Sequence, residues 1–236
     1  MRRHLPNALT LANLFCGCCA VVLWLDNRPF VASVFTAASF ALDYADGLVA
    51  RTLKVHSPLG KELDSLADVV SFGVVPGIAF YLMLAGVYCE GSAFLWCCPA
   101  AGAFVLTVFA AYRLGRFNLD PASRAYFIGL STPACTLFVI GLALAARRDD
   151  LGVGTLLQQN SWAIYLIVGL LSYAMVSNVP LHGLKLGSEG AAGRWRVGLF
   201  AALGALLIWG LGPLGLSAAV VLYVVYSLIY PPVKAV

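Results

Sequence analysis

The stretch LDYADGLVARTLKVHSPLGKELDSLADVVSFG, Leu42–Gly73, places four aspartates in a chain that is otherwise strongly apolar. Hydrophobic residues make up 61% of the sequence and charged residues only 11%, against about a quarter charged in average soluble proteins. The mean hydropathy is +0.88. This composition predicts an integral membrane protein, in which a group of four acids requires a physical explanation.

Apolar segments long enough to cross a bilayer, which takes about 20 residues per helix, recur along the whole chain. We predict an all-α, polytopic membrane helix bundle with about eight transmembrane helices. The predicted spans are Ala8–Leu25, Phe30–Ala50, Leu63–Val87, Ala93–Leu114, Phe127–Ala146, Trp162–Val179, Val197–Leu211 and Leu214–Tyr230. The last two are short and meet at GLGPLG, residues 210–215, so a hairpin that only partly penetrates the membrane is an alternative.

Lys and Arg are distributed unevenly over the predicted loops. With eight alternating spans, all of the 15 basic residues except Arg28, Arg147 and Arg148 fall on one side. The positive-inside rule places that side, together with both termini and the loop 52–62, in the cytoplasm. The net charge of +4 fits an anionic lipid surface, and no arginine-aromatic cluster indicates a nucleic-acid partner.

One candidate domain boundary follows the sixth span, where the polar connection Leu181–Arg196 begins. We predict a six-helix core over residues 1–180 and a C-terminal helix pair over residues 181–236, packed on the same bundle.

The four aspartates form two pairs at helical spacing. Asp43 and Asp46 are three residues apart on the second predicted helix, and Asp64 and Asp68 are four apart on the third, so each pair shares a face. Two helices joined by a short loop pack as antiparallel neighbours, which allows the pairs to converge. At 1.5 Å per residue, both pairs lie within about 12 Å of the cytoplasmic helix ends, near the lipid phosphates.

These acids need partners in the membrane. An ionised aspartate at the centre of a transmembrane helix costs about 2.5 to 3.5 kcal/mol, so the four must face one another, water or cations. Protons, an arginine or hard divalent cations would relieve the repulsion between carboxylates. Lone intramembrane acids can be structural or relay protons, but paired acids on adjacent helices favour a metal site of Asp43, Asp46, Asp64 and Asp68.

Small residues lie one helical turn from the acids. Gly47 follows Asp43, Ala50 follows Asp46, and Gly60 precedes Asp64. Taken singly, each favours close helix packing. Together with Arg51, which can grip a phosphate bidentately, they indicate a cleft for a flat, anionic ligand.

The pattern D-x-x-D-G-x-x-A-R-x(8)-G-x-x-x-D-x-x-x-D, from Asp43 to Asp68, resembles the signature of the CDP-alcohol phosphotransferase family at all eight specified positions. The segments LPNALTLANLFCG, SFGVVPG, YRLGRFN, FIGLSTPA and MVSNVP resemble the branch of that family that makes phosphatidylserine, and the resemblance extends over about residues 5–185. Ser131, in GLSTP, is a minor departure, because proline is expected there.

The resemblance implies a multispan, commonly homodimeric enzyme that transfers the phosphatidyl group of CDP-diacylglycerol to the hydroxyl of L-serine and releases CMP. It implies the cytoplasmic membrane of a prokaryote, with the active site facing the cytoplasm. Asp43, Asp46 and Asp64 would hold one or two Mg²⁺ or Mn²⁺ ions, and Asp68 would complete the metal site or act as general base. The residues implied to line the CDP pocket are Gly47, Ala50, Arg51 and Gly60.

Two further groups of polar residues are weaker candidates. One shares a face of the first helix: Asn7, Thr10 and Asn13. These could bind the nucleotide or its phosphates, or form helix-helix hydrogen bonds. The other lies at the cytoplasmic end of the fourth helix: Arg113, Arg116 and Asn118. These could hold the serine carboxylate or a lipid phosphate, or anchor the helix at the interface.

Two alternatives to this function stay open. The same chemistry could use glycerol phosphate, inositol phosphate or choline as acceptor, or an ether-linked, archaeal-type isoprenoid donor. Intramembrane acids also occur in cation transporters, but these are expected to place acids near the midplane on broken or repeated helices. The acids of this sequence instead cluster at one end of their helices.

Overall fold

The computed structural model describes residues 4–53, 57–89, 98–119, 127–149, 151–182 and 202–230. The chain divides into two compact units, Met1–Leu119 and Asp120–Val236. All four aspartates of the motif belong to the first unit. The six-helix core over residues 1–180 and the helix pair over residues 181–236 stay a prediction.

The first unit is built from helices. They are α1 (Leu5–Leu25), α2 (Pro29–Leu53), α3 (Pro58–Val69), a π-helical turn (Val70–Val74), α4 (Val75–Tyr88), a 3₁₀ helix (Pro99–Phe104) and α5 (Val105–Leu119). Helix α1 packs against α2, α3, the π turn and α4. It is therefore the central helix of this unit.

The buried face of α1 explains this central position. Its buried residues recur every three or four positions: Pro6, Thr10, Asn13, Gly17, Ala20 and Trp24. This is the period of one helix face. A side chain at Gly17 would overlap Ser71 of the π turn, so glycine at this position lets the two backbones approach closely.

The π turn lies within one continuous helical segment, Pro58–Tyr88. Pro76 follows it and has no backbone N–H, so it cannot donate the usual α-helical hydrogen bond to the carbonyl of Phe72. The hydroxyl of Thr107 on α5 donates to the carbonyl of Gly73 at 2.8 Å. Helix α5 thus supplies a hydrogen bond to the segment in which the regular α-helical pattern is interrupted.

The second unit contains five described helices and a short strand pair. The helices are α6 (Thr132–Arg148), α7 (Val153–Gln159), α8 (Trp162–Val176), α9 (Ala202–Leu211) and α10 (Leu214–Ile229). Strand β1 (Phe127–Ile128) pairs antiparallel with β2 (Pro180–Leu181). Helix α6 packs against α7, α8 and α10.

The strand pair changes the predicted start of the fifth span. Phe127 and Ile128 are extended, and Gly129 adopts a positive φ of 69° while its N–H donates to the carbonyl of Val179. The helix begins only at Thr132, because the hydroxyl of Ser131 caps its first turn. The prediction of helix from Phe127 was therefore wrong by about one turn.

Three of the described helices are long and apolar enough to cross a membrane: Leu5–Leu25, Pro58–Tyr88 and Pro99–Leu119. A fourth span results if α7 and α8, which meet at a bend of 99°, form one broken or re-entrant segment. The apolar helices α9 and α10 are shorter. The all-α class and the presence of membrane-capable helices are confirmed.

Candidate metal and nucleotide site

Three of the four aspartates converge in the first unit. One carboxylate oxygen each of Asp43 on α2 and of Asp64 and Asp68 on α3 all lie within 4.8 Å of one another. All three residues are half-buried. The helical spacing of the acids, together with the packing of both helices on α1, brings these carboxylates into one cluster.

Asp46 is held differently from the other three acids. It is buried, and its Oδ2 accepts a hydrogen bond of 2.5 Å from the hydroxyl of Thr10 on α1. The predicted set of four acids therefore consists of a cluster of three and one acid bonded to the central helix. The bond from Thr10 to Asp46 joins α1 to α2 and is a helix-helix hydrogen bond, the second of the two roles considered for Thr10 in the sequence.

The acid cluster lies between α2 and α3. Among the described residues, α1 packs against both helices, whereas the α2 and α3 backbones are not closely packed against each other. The rings of Phe40 on α2 and Phe72 in the π turn contact each other with centroids 4.6 Å apart. Phe40 precedes Asp43 by three residues and Phe72 follows Asp68 by four, so the two rings form a floor one turn deeper than the acids.

The two glycines of the motif have different surroundings. A Cβ at Gly47 would meet no atom within 4 Å, so this residue borders open space. A Cβ at Gly60 would lie 2.9 Å from the Ser57 hydroxyl and 3.0 Å from Oδ1 of Asn7. The Ser57 hydroxyl also accepts the Gly60 N–H at 2.9 Å and caps α3. Gly60 therefore permits close packing at the start of α3, with Asn7 beside it.

Arg51 and Ala50 complete this end of α2. Nε of Arg51 donates to the carbonyl of Gly47 at 3.0 Å, and the side chain is exposed. Ala50 is half-buried. The guanidinium group is thereby held next to the open space at Gly47.

Asn13 belongs to a buried hydrogen-bond network. Its Oδ1 accepts from the hydroxyl of Ser71 at 2.9 Å, and its carbonyl accepts from the hydroxyl of Ser39 at 3.2 Å. Its side chain is fully buried, and Nδ2 has no hydrogen-bond partner among the described residues. The bonds to Ser39 and Ser71 link α1 to α2 and the π turn, as expected for helix-helix hydrogen bonding.

The polar residues at the end of α5 contact α3. Nδ2 of Asn118 donates to the hydroxyl of Ser65 at 2.7 Å, and Nζ of Lys61 donates to the carbonyl of Asn118 at 2.8 Å. Arg113 is buried and Arg116 is exposed. Asn118 therefore contacts the helix that carries Asp64 and Asp68. The sequence alone gave no sign of this pairing.

The acid cluster suits a hard divalent cation. Such ions are bound by carboxylate oxygens at about 2.0 to 2.6 Å, so oxygens within 4.8 Å of one another can share one ion. Oδ1 of Asp68 is buried and has no hydrogen-bond partner among the described residues. A buried carboxylate oxygen without a partner is costly, and a cation would satisfy it.

Comparison with known proteins gives a consistent result. Residues 3–179 match the profile of the CDP-alcohol phosphatidyltransferase family. Curated proteins named CDP-diacylglycerol--serine O-phosphatidyltransferase are similar over most of the chain. The one from Bacillus subtilis is 30% identical over 198 residues, covering 82% of this chain and 99% of that protein. The one from Helicobacter pylori strain J99 is 32% identical over 232 residues, covering 95% and 89%.

A relative of the same name from Mycobacterium leprae is 32% identical over 184 residues, covering 75% of this chain. The match spans 57% of the length of that relative. The family profile covers the whole of the aspartate motif and the helices that position it. The chain therefore belongs to the CDP-alcohol phosphatidyltransferase family and is a transferase.

Proposed function

We propose that this protein is a phosphatidylserine synthase, which transfers the phosphatidyl group of CDP-diacylglycerol to the hydroxyl of L-serine and releases CMP. The observation that carries the proposal is the cluster of Asp43, Asp64 and Asp68 oxygens within 4.8 Å in a member of this family. The choice of serine is supported by the names of the relatives from Bacillus subtilis and Helicobacter pylori.

Asp43, Asp64 and Asp68 would hold Mg²⁺ or Mn²⁺, with Asp46 adding a fourth carboxylate beside them. When bound, the metal would neutralise the pyrophosphate of the donor and stabilise the charge that develops on departing CMP. The chain supplies the oxygen ligands, and the contact between the rings of Phe40 and Phe72 would place an apolar floor beneath them. An apolar floor strengthens the electrostatic interactions above it, because the local dielectric constant is lower than in water.

The serine hydroxyl must lose a proton as its oxygen attacks the phosphorus. In this step a new P–O bond forms to serine, the P–O bond to CMP breaks, and the proton moves to a carboxylate. Asp68 is the carboxylate we assign as acceptor of this proton, with one of its oxygens binding the cation and the other taking the proton. Asp68 would thus act as metal ligand and general base.

The nucleotide would bind at the cytoplasmic end of α2. Gly47 borders open space, and Arg51 lies beside it, where its guanidinium can bind a phosphate oxygen pair. Ala50 and Gly60 would complete the walls of this pocket, and Asn7 would approach from α1. Arg113 and Arg116 would bind the serine carboxylate or the lipid phosphate.

We further propose eight transmembrane spans, both termini in the cytoplasm, a homodimer, and a location in the cytoplasmic membrane with the site on its inner face. The distribution of Lys and Arg supports this orientation. Cys89, at the opposite end of the segment Pro58–Tyr88 from Asp64, is disulfide-bonded. Disulfides persist in oxidising compartments, which supports placing that end outside.

An acceptor panel tests this function. Purified protein in detergent is given CDP-diacylglycerol, Mn²⁺ or Mg²⁺, and radiolabelled serine, glycerol phosphate or inositol phosphate in separate reactions. We expect label from serine to enter lipid with equimolar release of CMP, and we expect a chelator to stop both. Label from another acceptor but not from serine would overturn the assignment of serine. Absence of CMP release with every acceptor would overturn the proposed reaction.

A further inference from the structure

Helix α5 holds the segment Pro58–Tyr88 at two points. Near the C-terminal end of α5, Nδ2 of Asn118 donates to the hydroxyl of Ser65 at 2.7 Å. Near the N-terminal end of α5, the hydroxyl of Thr107 donates to the carbonyl of Gly73 at 2.8 Å. These two contacts lie on either side of Asp68, so α5 spans the part of the segment that carries the acid ligands.

The interruption between α3 and α4 explains why such support matters. A π turn at Val70–Val74 separates the helix that carries Asp64 and Asp68 from the apolar helix α4. Each side chain in a π turn is rotated relative to its place in a regular α-helix. The hydrogen bonds of α4 alone therefore do not fix the direction in which the two acids point.

The contact at Asn118 is close to both acids along the chain. Ser65 directly follows Asp64 and precedes Asp68 by three residues. Lys61, one turn earlier, donates from Nζ to the carbonyl of Asn118 at 2.8 Å. Two consecutive turns of α3 are thus bonded to the same residue of α5, which restrains the rotation of α3 about its axis.

We propose that Asn118 is a positioning residue that acts through Ser65 to orient Asp64 and Asp68 towards the metal. The inference rests on the proposed function, since it requires the acids to bind a divalent cation. Asn118 then affects the reaction by setting the geometry of the acid cluster. A direct contact between its amide and serine or a lipid phosphate is not needed.

A double-mutant cycle tests this role. Asn118→Ala, Ser65→Ala and the double variant are purified, and Mn²⁺ affinity is measured without substrate, by following the electron paramagnetic resonance signal of free Mn²⁺. We expect each single variant to bind Mn²⁺ about 10-fold more weakly, the usual range for loss of a residue that orients a metal ligand. The double variant should be no weaker than Ser65→Ala, which removes the bond to Asn118 and also the bond from the Ser65 hydroxyl to the carbonyl of Lys61 at 3.2 Å.

Ser33→Ala is the matched control, because it also removes a helix hydroxyl, one that donates to the carbonyl of Pro29 at 2.7 Å. It should leave Mn²⁺ affinity unchanged. If Asn118→Ala binds Mn²⁺ like the wild type, or if the two changes add in the double variant, the positioning role is wrong. Wild-type protein that makes no lipid and binds no Mn²⁺ would instead refute the proposed function, and the positioning role with it.

Discussion

Thr10 on α1 donates a hydrogen bond of 2.5 Å to Asp46 on α2, and both residues are buried. The central helix of the first unit thus contacts the acid motif directly. A carboxylate at this depth needs a donor, because burial without one costs about 1 to 3 kcal/mol. This contact explains how Asp46 is accommodated apart from the cluster of three acids.

Replacing Thr10 by Val should destabilise the protein, because Val has a similar shape but cannot donate to Asp46. We expect the free energy of unfolding to fall by about 1 to 3 kcal/mol. Thr10→Ser keeps the hydroxyl and should stay much closer to wild type. Thermal unfolding in detergent measures both. Equal stability of the two variants would show that the hydrogen bond contributes nothing.

The two glycines of the motif should respond differently to alanine. A Cβ at Gly47 would meet no atom within 4 Å, and alanine is favoured over glycine inside a helix, so Gly47→Ala should have a melting temperature at or above that of the wild type. The added methyl group should nevertheless weaken binding of CDP-diacylglycerol. We expect a loss of roughly 1.4 kcal/mol in binding free energy, which corresponds to an affinity about 10-fold lower. Binding of CDP by calorimetry, alongside thermal unfolding, separates the two effects.

Gly60→Ala is the matched comparison. Its Cβ would lie 2.9 Å from the Ser57 hydroxyl and 3.0 Å from Asn7 Oδ1, which would disturb the cap of α3. We expect a loss of about 1 to 2 kcal/mol in the free energy of unfolding. If Gly47→Ala loses stability and Gly60→Ala does not, then Gly47 does not border open space and Gly60 is not closely packed against Ser57 and Asn7.

The acid motif could be predicted from sequence because helical spacing alone places each pair of aspartates on one face. The bond between Thr10 and Asp46 could not, because it depends on which helix packs at the centre of the unit. The contact between Phe40 and Phe72 was missed for a similar reason. Apolar residues are so frequent in this chain that two more phenylalanines carry no signal, although each lies one turn from an acid.

Local backbone features were the least predictable part of the fold. Hydropathy alone predicts that FIGLSTPA, residues 127–134, belongs to a membrane span, because Phe127 and Ile128 are as apolar as residues in a membrane helix. Their pairing with Pro180 and Leu181 is a long-range contact, which an apolar pattern cannot indicate. The π turn after Asp68 has a local cause in Pro76, yet proline inside a membrane helix does not by itself specify this distortion.

Asp149, at the end of α6, should give a stability contribution that depends on pH. Hydrogen bonds from the side chain of Thr155, at 2.7 Å, and from its backbone N–H, at 3.0 Å, lower the pKa of Asp149 below its usual value of 3.8. Because the pKa is lower in the folded state, the contribution is present above pH 3.8 and is lost as the pH falls through the folded pKa.

Asp149→Asn should therefore lower the melting temperature at neutral pH, and the difference from wild type should shrink below about pH 3.8. Asn tolerates the positive φ of 54° at this position, so the comparison tests the charge and the second acceptor oxygen of the carboxylate without a change in backbone conformation. Melting curves across this pH range provide the measurement. A difference that persists unchanged at low pH would point to a cause other than ionisation.

Asp64→Asn should separate stability from activity most clearly. Asp64 shares a cluster with Asp43 and Asp68, and carboxylates held this closely repel one another in the absence of a cation. A neutral amide of the same shape relieves that repulsion, so the variant without metal should melt at the wild-type temperature or above it. Transfer of phosphatidyl groups should fall by at least about 1,000-fold, because a metal ligand is lost. Residues that serve a functional site commonly lower the stability of the protein in this way.

Added Mn²⁺ should raise the melting temperature of the wild type but not of Asp64→Asn. Retained turnover in Asp64→Asn, or an equal Mn²⁺ shift in both proteins, would remove Asp64 from the metal site and leave the cluster without its proposed role.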